Sequence, residues 1–478
     1  MRAPYSPVQW LTRLSHEQIK ASHQILGRIT FFLFLLHTAF YLNFFVLSGF
    51  LAKRIKDWDV IWGLISIILF SAISTTALGF VRRRNYRVFY ISHIAIANFI
   101  IVPLYLHVSH IRIYVYEVIA VEALHLIFRA LRLKMYQGTI RLLPGTNLVQ
   151  VRIPLPQDSG ALTWKPGQHV YLSRPQNTGK APRWYDQWLM INKTNPFTIA
   201  SLPSKDKELL LVARTLNGNT KYLGELAHSL SQGGSNVPML PTAGGDIPIL
   251  PLALEGPYGA STRLPDLSEY DKVLLVAGGV GATFIIPIYR NILEYHDPTP
   301  AGTQIRCIWA VQKLAETQWA FSADSSPEDE DAGARANGNG LSHGPSNVEV
   351  YVTRPSGQNM HVDASASGVF AVDDDDDEGE AIEMQENEQL LSMEEQMEKP
   401  RKGMSIKSGR PDLSNVVDEV SSKGLRTAVI CCGPKRLTDD LKKNVEVWVT
   451  MYSGMMRRLG GSFYECIACA LLHRVRHR

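Results

Sequence analysis

The sequence predicts a multi-domain chain: membrane-spanning α-helices, then an antiparallel β-barrel, then a parallel α/β domain. Three observations lead there. Four long apolar stretches crowd the first part of the chain, up to about residue 132. Short alternating strands with turn punctuation fill about 135–262. After about 263, an apolar strand runs into a glycine-rich turn and an amphipathic helix. The chain has 478 residues, 20% charged and 45% apolar, so it is neither wholly disordered nor collagen-like. Its 49 basic and 45 acidic residues are too balanced to argue for nucleic acid, and five cysteines exclude a disulfide scaffold. Cys466 and Cys469 form a lone C-x-x-C with no second ligand pair nearby, which reads as packing cysteines rather than a zinc site.

The first domain, 1–134, is read as four spans at about 24–50, 59–80, 88–108 and 111–132, each long enough to cross a bilayer. The stretch Val60–Phe80 carries no charge, whereas the last span holds Glu117 and Glu122. With an even number of spans both ends share a side. That side holds Arg2, Arg13, Lys20, Arg28, Arg82, Arg83, Arg84, Arg87, Arg129, Arg132 and Lys134. The other holds Lys53, Arg54, Lys56 and Arg112, so both ends are predicted to be cytosolic.

Histidines inside a bilayer demand a reason. His23 and His37 lie on the first span, and His93 and His107 on the third. Both spacings are 14 residues, close to four full helical turns, so each pair sits on one face with its members about 21 Å apart. The two spans run the same way, which levels His23 with His93 and His37 with His107. Two opposed imidazoles at one depth are what a six-coordinate haem iron takes, and two such levels stack two haems. His110 is assigned to the outer loop and His125 to a polar interior or interfacial position.

The soluble part divides into a barrel, 135–262, and an α/β domain, 263–478. In the barrel, WKPGQHVYLS at 164–173 and NPFTIAS at 195–201 read as a turn and two strands. LLLVART is followed by LNGNTKYL, where Gly218 and amides near Thr220 and Lys221 suit an anion at a helix N-terminus. In the α/β domain, Gly278, Gly279 and Gly281 of VLLVAGGVGATFIIPIYRNIL let the backbone approach a pyrophosphate, although G-x-G-x-x-G is not matched. IRCIWAV, VEVYVTR and TAVICCGP supply further strands. Two acidic insertions, at about 322–347 and 356–410, hold too few apolar residues to order and read as disordered.

The paired membrane histidines, the barrel motif, the glycine turn and the terminal Cys-Gly-Pro fall in one order. That order resembles the fungal ferric/cupric metalloreductases, within the wider ferric reductase and NADPH oxidase group. The resemblance covers about residues 16–437 apart from the insertions. It implies an α-helical transmembrane haem domain, an antiparallel β-barrel FAD domain and an α/β ferredoxin-reductase-type NADP-binding domain. It implies that His23, His37, His93 and His107 bind haem, with Arg28 beside a propionate. Gln168, Val170, Asn195, Pro196, Phe197, Thr198, Ser201 and Thr220 then match the FAD segments. Gly278, Gly279, Gly281 and Thr283 match the NADPH pyrophosphate loop, and Cys432, Gly433 and Pro434 the segment beside the nicotinamide.

The activity so implied moves electrons from cytosolic NADPH through FAD and two b-type haems to Fe(III) or Cu(II) chelates across the membrane. The setting implied is iron and copper uptake, with a metal permease or oxidase as partner, in the plasma membrane or else a vacuolar one. The equal histidine spacing favours this over a superoxide-generating NADPH oxidase. A truncated, non-catalytic membrane scaffold is the reading of another class. Three departures motivate it: Asn195 where the family has His, two further upstream spans in the family, and an end running through ECIACALLHRVRHR with no terminal aromatic. Lys313 and Arg354 are candidates to meet a 2′-phosphate.

Overall fold

The computed structural model describes residues 11, 16–155, 162–173, 194–216, 218–231, 239–240, 247–259, 264–295, 303–321, 347–353, 404–421, 425–458 and 468–471. Arg2, Arg13, Arg354, Cys466 and the insertions over 322–346 and 356–403 lie outside them. The chain divides into two compact units, one ending at Leu133 and one beginning at Lys134.

The first unit is all helix: α1 (His16–Leu47), α2 (Leu51–Arg54), α3 (Trp58–Thr76), α4 (Gly79–Arg84), α5 (Tyr86–Phe99), α6 (Ile101–His107) and α7 (Arg112–Arg132). Three stretches among the described residues are long and apolar enough to cross a membrane: Ile19–Leu47, Trp58–Thr76 and Val88–His107. The expected fourth span forms as α7 but falls short in apolarity, because Arg112, Glu117, Glu122, Arg129 and Arg132 interrupt it. Large apolar side chains such as Phe32, Phe40, Ile68, Phe99 and Val102 face outward, as a lipid-bathed surface requires. The third span is not one straight helix. Pro103 has no N–H for the Phe99 carbonyl one turn back, and the helix breaks at Ile100, between His93 and His107.

The second unit opens with β1 (Leu133–Leu142), β2 (Leu148–Pro154), β3 (His169–Ser173), β4 (Thr194–Thr198), β5 (Glu208–Arg214), helix α8 (Asn219–Ser231), the short β6 (Met239–Leu240) and β7 (Ile247–Pro248), and β8 (Leu250–Tyr258). Six of these strands form a sheet in the order β4-β3-β8-β1-β2-β5. An antiparallel bridge from Ile199 to Leu211 joins its two edges, so the sheet closes into the expected barrel. Val149, Val151 and Ile153 of β2 point into the barrel with Val170, Leu209 and Leu252.

The rest is β9 (Lys272–Gly278), α9 (Ala282–Tyr295), β10 (Gln304–Val311), β11 (Val348–Val352), β12 (Met404–Ser408), α10 (Leu413–Val420), β13 (Thr427–Cys432), α11 (Lys435–Arg458) and β14 (Ala468–Leu471). They build a parallel sheet in the order β12-β11-β10-β9-β13-β14. Strand alternation splits β9 between two cores. Val273, Leu275 and Ala277 face α9, whereas Leu274 and Val276 face α10 and α11. Met404–Ser408 falls inside the stretch expected to be a disordered insertion. It is an edge strand because Ile406 and Met404 pair in register with β11, and because Lys407 reaches Glu349 at 2.7 Å.

Barrel and α/β domain share one core. Leu148 of β2 and Leu210 and Val212 of β5 point away from the barrel interior and pack with Ile285, Ile288 and Tyr289 of α9. A buried bidentate pair pins this seam: Arg290 donates to Asp206 at 2.7 and 2.8 Å. Asp206 also accepts from the Leu202 amide at 2.7 Å. Asp206→Ala leaves the Arg290 guanidinium uncompensated and is expected to cost about 3–5 kcal/mol. The double variant Asp206→Leu/Arg290→Met is expected to recover most of that loss, measured as resistance to urea unfolding of the full chain in detergent.

Glu349 sits between Arg306 (2.7 Å) and Lys407 (2.7 Å) at the β12 edge. Burial alone would push its carboxyl up, but the two bonded cations outweigh it and hold it below the usual range. A depressed carboxylate contributes stability above its unfolded value that is lost as pH falls through the folded one. Glu349→Gln is therefore expected to flatten the acid limb of the stability profile, starting below about pH 4.5, as followed by thermal melts across pH.

Candidate functional site

In the membrane unit the structure brings His23 and His93 together. Their ring centroids are 6.2 Å apart with planes at 85°. That gap admits one metal ion bonded to a nitrogen of each ring at about 2 Å. Nδ1 of His93 is buried with no hydrogen-bond partner among the described residues. The residues present thus fit the haem-binding reading at this level. His37 packs at a tilt against Tyr41, ring centroids 4.7 Å apart, and lies within electrostatic range of His107. His107 is bonded through Nδ1 to the Asp59 carbonyl at 2.6 Å. Arg28 is exposed on α1, five residues beyond His23. His110 is exposed on a single turn at Ser109–Ile111, and His125 is half-buried on α7.

In the second unit the predicted barrel residues separate into two groups. Gln168 accepts the Lys165 amide through its own side chain at 2.8 Å, closing the Pro-Gly turn. Val170 is buried in the barrel core. The Ser201 hydroxyl, fully buried, accepts the Leu210 amide at 3.0 Å. These three serve the barrel itself. Asn195, Pro196, Phe197 and Thr198 are half-buried along β4. Asn195 accepts from Asn219 at 3.1 Å, which ties β4 to the start of α8 beside Thr220. Thr220 fixes that turn by accepting the Leu216 amide at 3.0 Å. Gly218 there has φ +74°, a conformation that other residues rarely adopt.

The glycine turn and the Cys-Gly-Pro segment, far apart in sequence, meet because β9 pairs with β13. A Cβ on Gly281 would collide with the Cys432 carbonyl, and one on Gly278 with Pro434 and Leu437. Gly433 in turn backs onto Gly278. The turn then opens directly into α9, whose first-turn Thr283 hydroxyl bonds the Val280 carbonyl at 2.9 Å. This arrangement offers bare backbone amides and a helix N-terminus to an anion.

Sequence reasoning missed three residues around these segments. Asn219 was passed over inside LNGNTKYL. Arg214 ends β5 with its guanidinium over Gly279, where a Cβ would lie 3.4 Å from Nη2. Glu316, buried, holds that guanidinium at 3.0 Å. The pairing joins positions about a hundred residues apart, so no local pattern announces it. Lys313 is exposed beside the same loop.

A unit with three membrane-length apolar helices is thus followed by a closed barrel and a glycine-turn α/β domain. The comparisons with known proteins agree segment by segment. Residues 1–104 match the ferric reductase like transmembrane component, 132–262 an FAD-binding domain, and 270–446 the ferric reductase NAD binding domain. End to end, these three matches follow the domain order of ferric reductases and span most of the chain.

It is 24% identical over 429 residues to the probable metalloreductase AIM14 of Meyerozyma guilliermondii, covering 87% of this chain and 72% of that protein. It is 23% identical to the ferric/cupric reductase transmembrane component 1 of Candida albicans, covering 91% and 51%. With ferric reductase transmembrane component 6 of Saccharomyces cerevisiae it shares 22%, covering 92% and 54%. The chain thus spans about half the length of the latter two reductases. The solved cytochrome b5 reductase domain of Ulva prolifera nitrate reductase is 15% identical, with a TM-score of 0.32, over 65% of this chain and 93% of that one.

Gly281→Ala forces a methyl group against the Cys432 backbone. The expected outcome is at least a tenfold weaker response to NADPH with flavin content unchanged, measured as flavin reduction by NADPH against reduction by dithionite.

Proposed function

We propose that the chain moves electrons from cytosolic NADPH, through FAD and two b-type haems, to Fe(III) or Cu(II) chelates across the membrane. The observation that carries this reading is the His23–His93 pair, one metal ion's span apart with an unpartnered buried nitrogen, in a chain that also carries FAD- and NAD-binding domains.

The residues have distinct tasks. His23 and His93 hold the inner haem, and His37 and His107 the outer one; Arg28 neutralises a propionate. Asn195, Pro196, Phe197, Thr198 and Thr220 contact the flavin, while Gln168, Val170 and Ser201 fix the strands that carry them. Gly278, Gly279 and Gly281 would present backbone amides to the nucleotide pyrophosphate, Thr283 holds the first turn of α9, and Cys432, Gly433 and Pro434 would lie beside the nicotinamide. Flavin supplies the conversion of a two-electron hydride into single electrons. The protein's own contribution is position: the Asp206–Arg290 seam keeps the barrel and the glycine turn in one orientation.

Both chain ends are cytosolic, with α7 as a fourth crossing despite its charges. Glu117, Glu122 and Arg132 are exposed on that helix, whereas Arg129 is buried near its end. The plasma membrane is the home, and a metal permease or oxidase on the far side takes the reduced ion. The relatives are named as a probable metalloreductase, a ferric/cupric reductase and a ferric reductase, which disfavours oxygen as acceptor.

The test is a reduced-minus-oxidised visible spectrum of membranes carrying the full chain. Low-spin b-type bands are expected with dithionite and with NADPH alike, and reduction of an Fe(III) chelate is expected to follow NADPH addition. Absence of bands with dithionite would overturn the histidine assignment. Bands with dithionite alone would overturn the coupled chain and leave a haem-bearing scaffold.

A further inference from the structure

We propose that Gly63 is a positioning residue for His107. By lacking a side chain it uncovers the backbone carbonyl that locks the His107 ring in the tautomer a metal requires. The inference rests on the reading of His107 as an outer-haem ligand.

Nδ1 of His107 lies 2.6 Å from the Asp59 carbonyl oxygen. A carbonyl only accepts, so Nδ1 carries the proton and donates it, and the lone pair is left on Nε2. Metal-bound histidines typically hold their second nitrogen in this way, which fixes both tautomer and ring plane.

The Asp59 carbonyl is reachable for a specific reason. Asp59 and Gly63 are one turn apart on α3, and helical Cβ atoms tilt toward the N-terminus. Any side chain at 63 would therefore overhang the carbonyl of 59. A Cβ placed there would come within 2.8 Å of His107 Nδ1 and 3.3 Å of Nε2. Gly63 stands alone as a glycine in the 19 residues of α3, amid Ile, Leu, Val and Trp. The carbonyl itself is held in place from outside the helix: Arg54 bonds the Asp59 carboxylate at 2.8 Å and the Asp57 carboxylate at 2.5 Å, fixing the first turn of α3. His93 has no comparable support, since its Nδ1 is buried without a partner among the described residues. The two levels are thus built differently, with the outer ring seated on a helix backbone and the inner one not.

The test uses the full chain purified in detergent, as wild type, Gly63→Ala, His107→Ala and Ile68→Ala; Ile68 is 66% exposed on the same helix. Haem per chain is measured by pyridine haemochromogen and the ferric haems by low-temperature electron paramagnetic resonance. Gly63→Ala is expected to fall from two haems to one, or to keep two with one low-spin signal shifted. The other signal stays unmoved, which shows that the bundle has folded. His107→Ala is expected to retain one haem and Ile68→Ala two. Two haems with both signals unmoved in Gly63→Ala, while His107→Ala loses one, would overturn this inference alone. Two haems in His107→Ala would overturn the ligand assignment and the inference with it.

Discussion

A carboxylate and a guanidinium, both almost fully removed from water, hold the soluble half in one shape. Asp206 sits in the connection between β4 and β5, and Arg290 lies on α9. Burying either charge alone would be prohibitive, so the pair has meaning only when the two domains are docked. The apolar contacts around it are compatible with small slips of one domain against the other. The bidentate pair is not, because its two bonds fix an angle as well as a distance. The approach of the glycine turn to the barrel mouth, and the stance of Arg214 over Gly279, both inherit this orientation.

Much of the architecture could be read from the residues. β2 alternates apolar and polar residues, β9 ends in a glycine and β13 runs into one, and these glycines mark close backbone approach. The meeting of His23 with His93 follows the equal spacing on the first and third spans. What could not be read has physical reasons. The break at Ile100 follows from Pro103 four residues after Phe99, a local cue hidden in an otherwise continuous apolar run. Residues 404–408 were lost within a polar stretch because an edge strand needs only one apolar face.

The candidate site was legible where chemistry is written in backbone and illegible where it is written in pairs. Gly278, Gly279, Gly281 and Gly433 announce themselves, since glycine at such density has few other uses. Arg214 and Glu316 do not, because neither is unusual in its own segment and their meeting depends on the domain seam. Gln168, Val170 and Ser201 show the opposite failure. They lie in the right segment, yet their side chains are occupied in building the strand rather than facing outward.

The pairing of β12 with β11 has a consequence for how this sheet tolerates change. The chain leaves one strand at Val352 and rejoins its immediate neighbour at Met404, both running the same way. The register of β12 is set by its ladder with β11 and by the Lys407–Glu349–Arg306 chain of charges. Substitutions at Ile406, Lys407 or Glu349 therefore act on the sheet edge directly, because the placement of this strand is specified by the residues of the ladder itself.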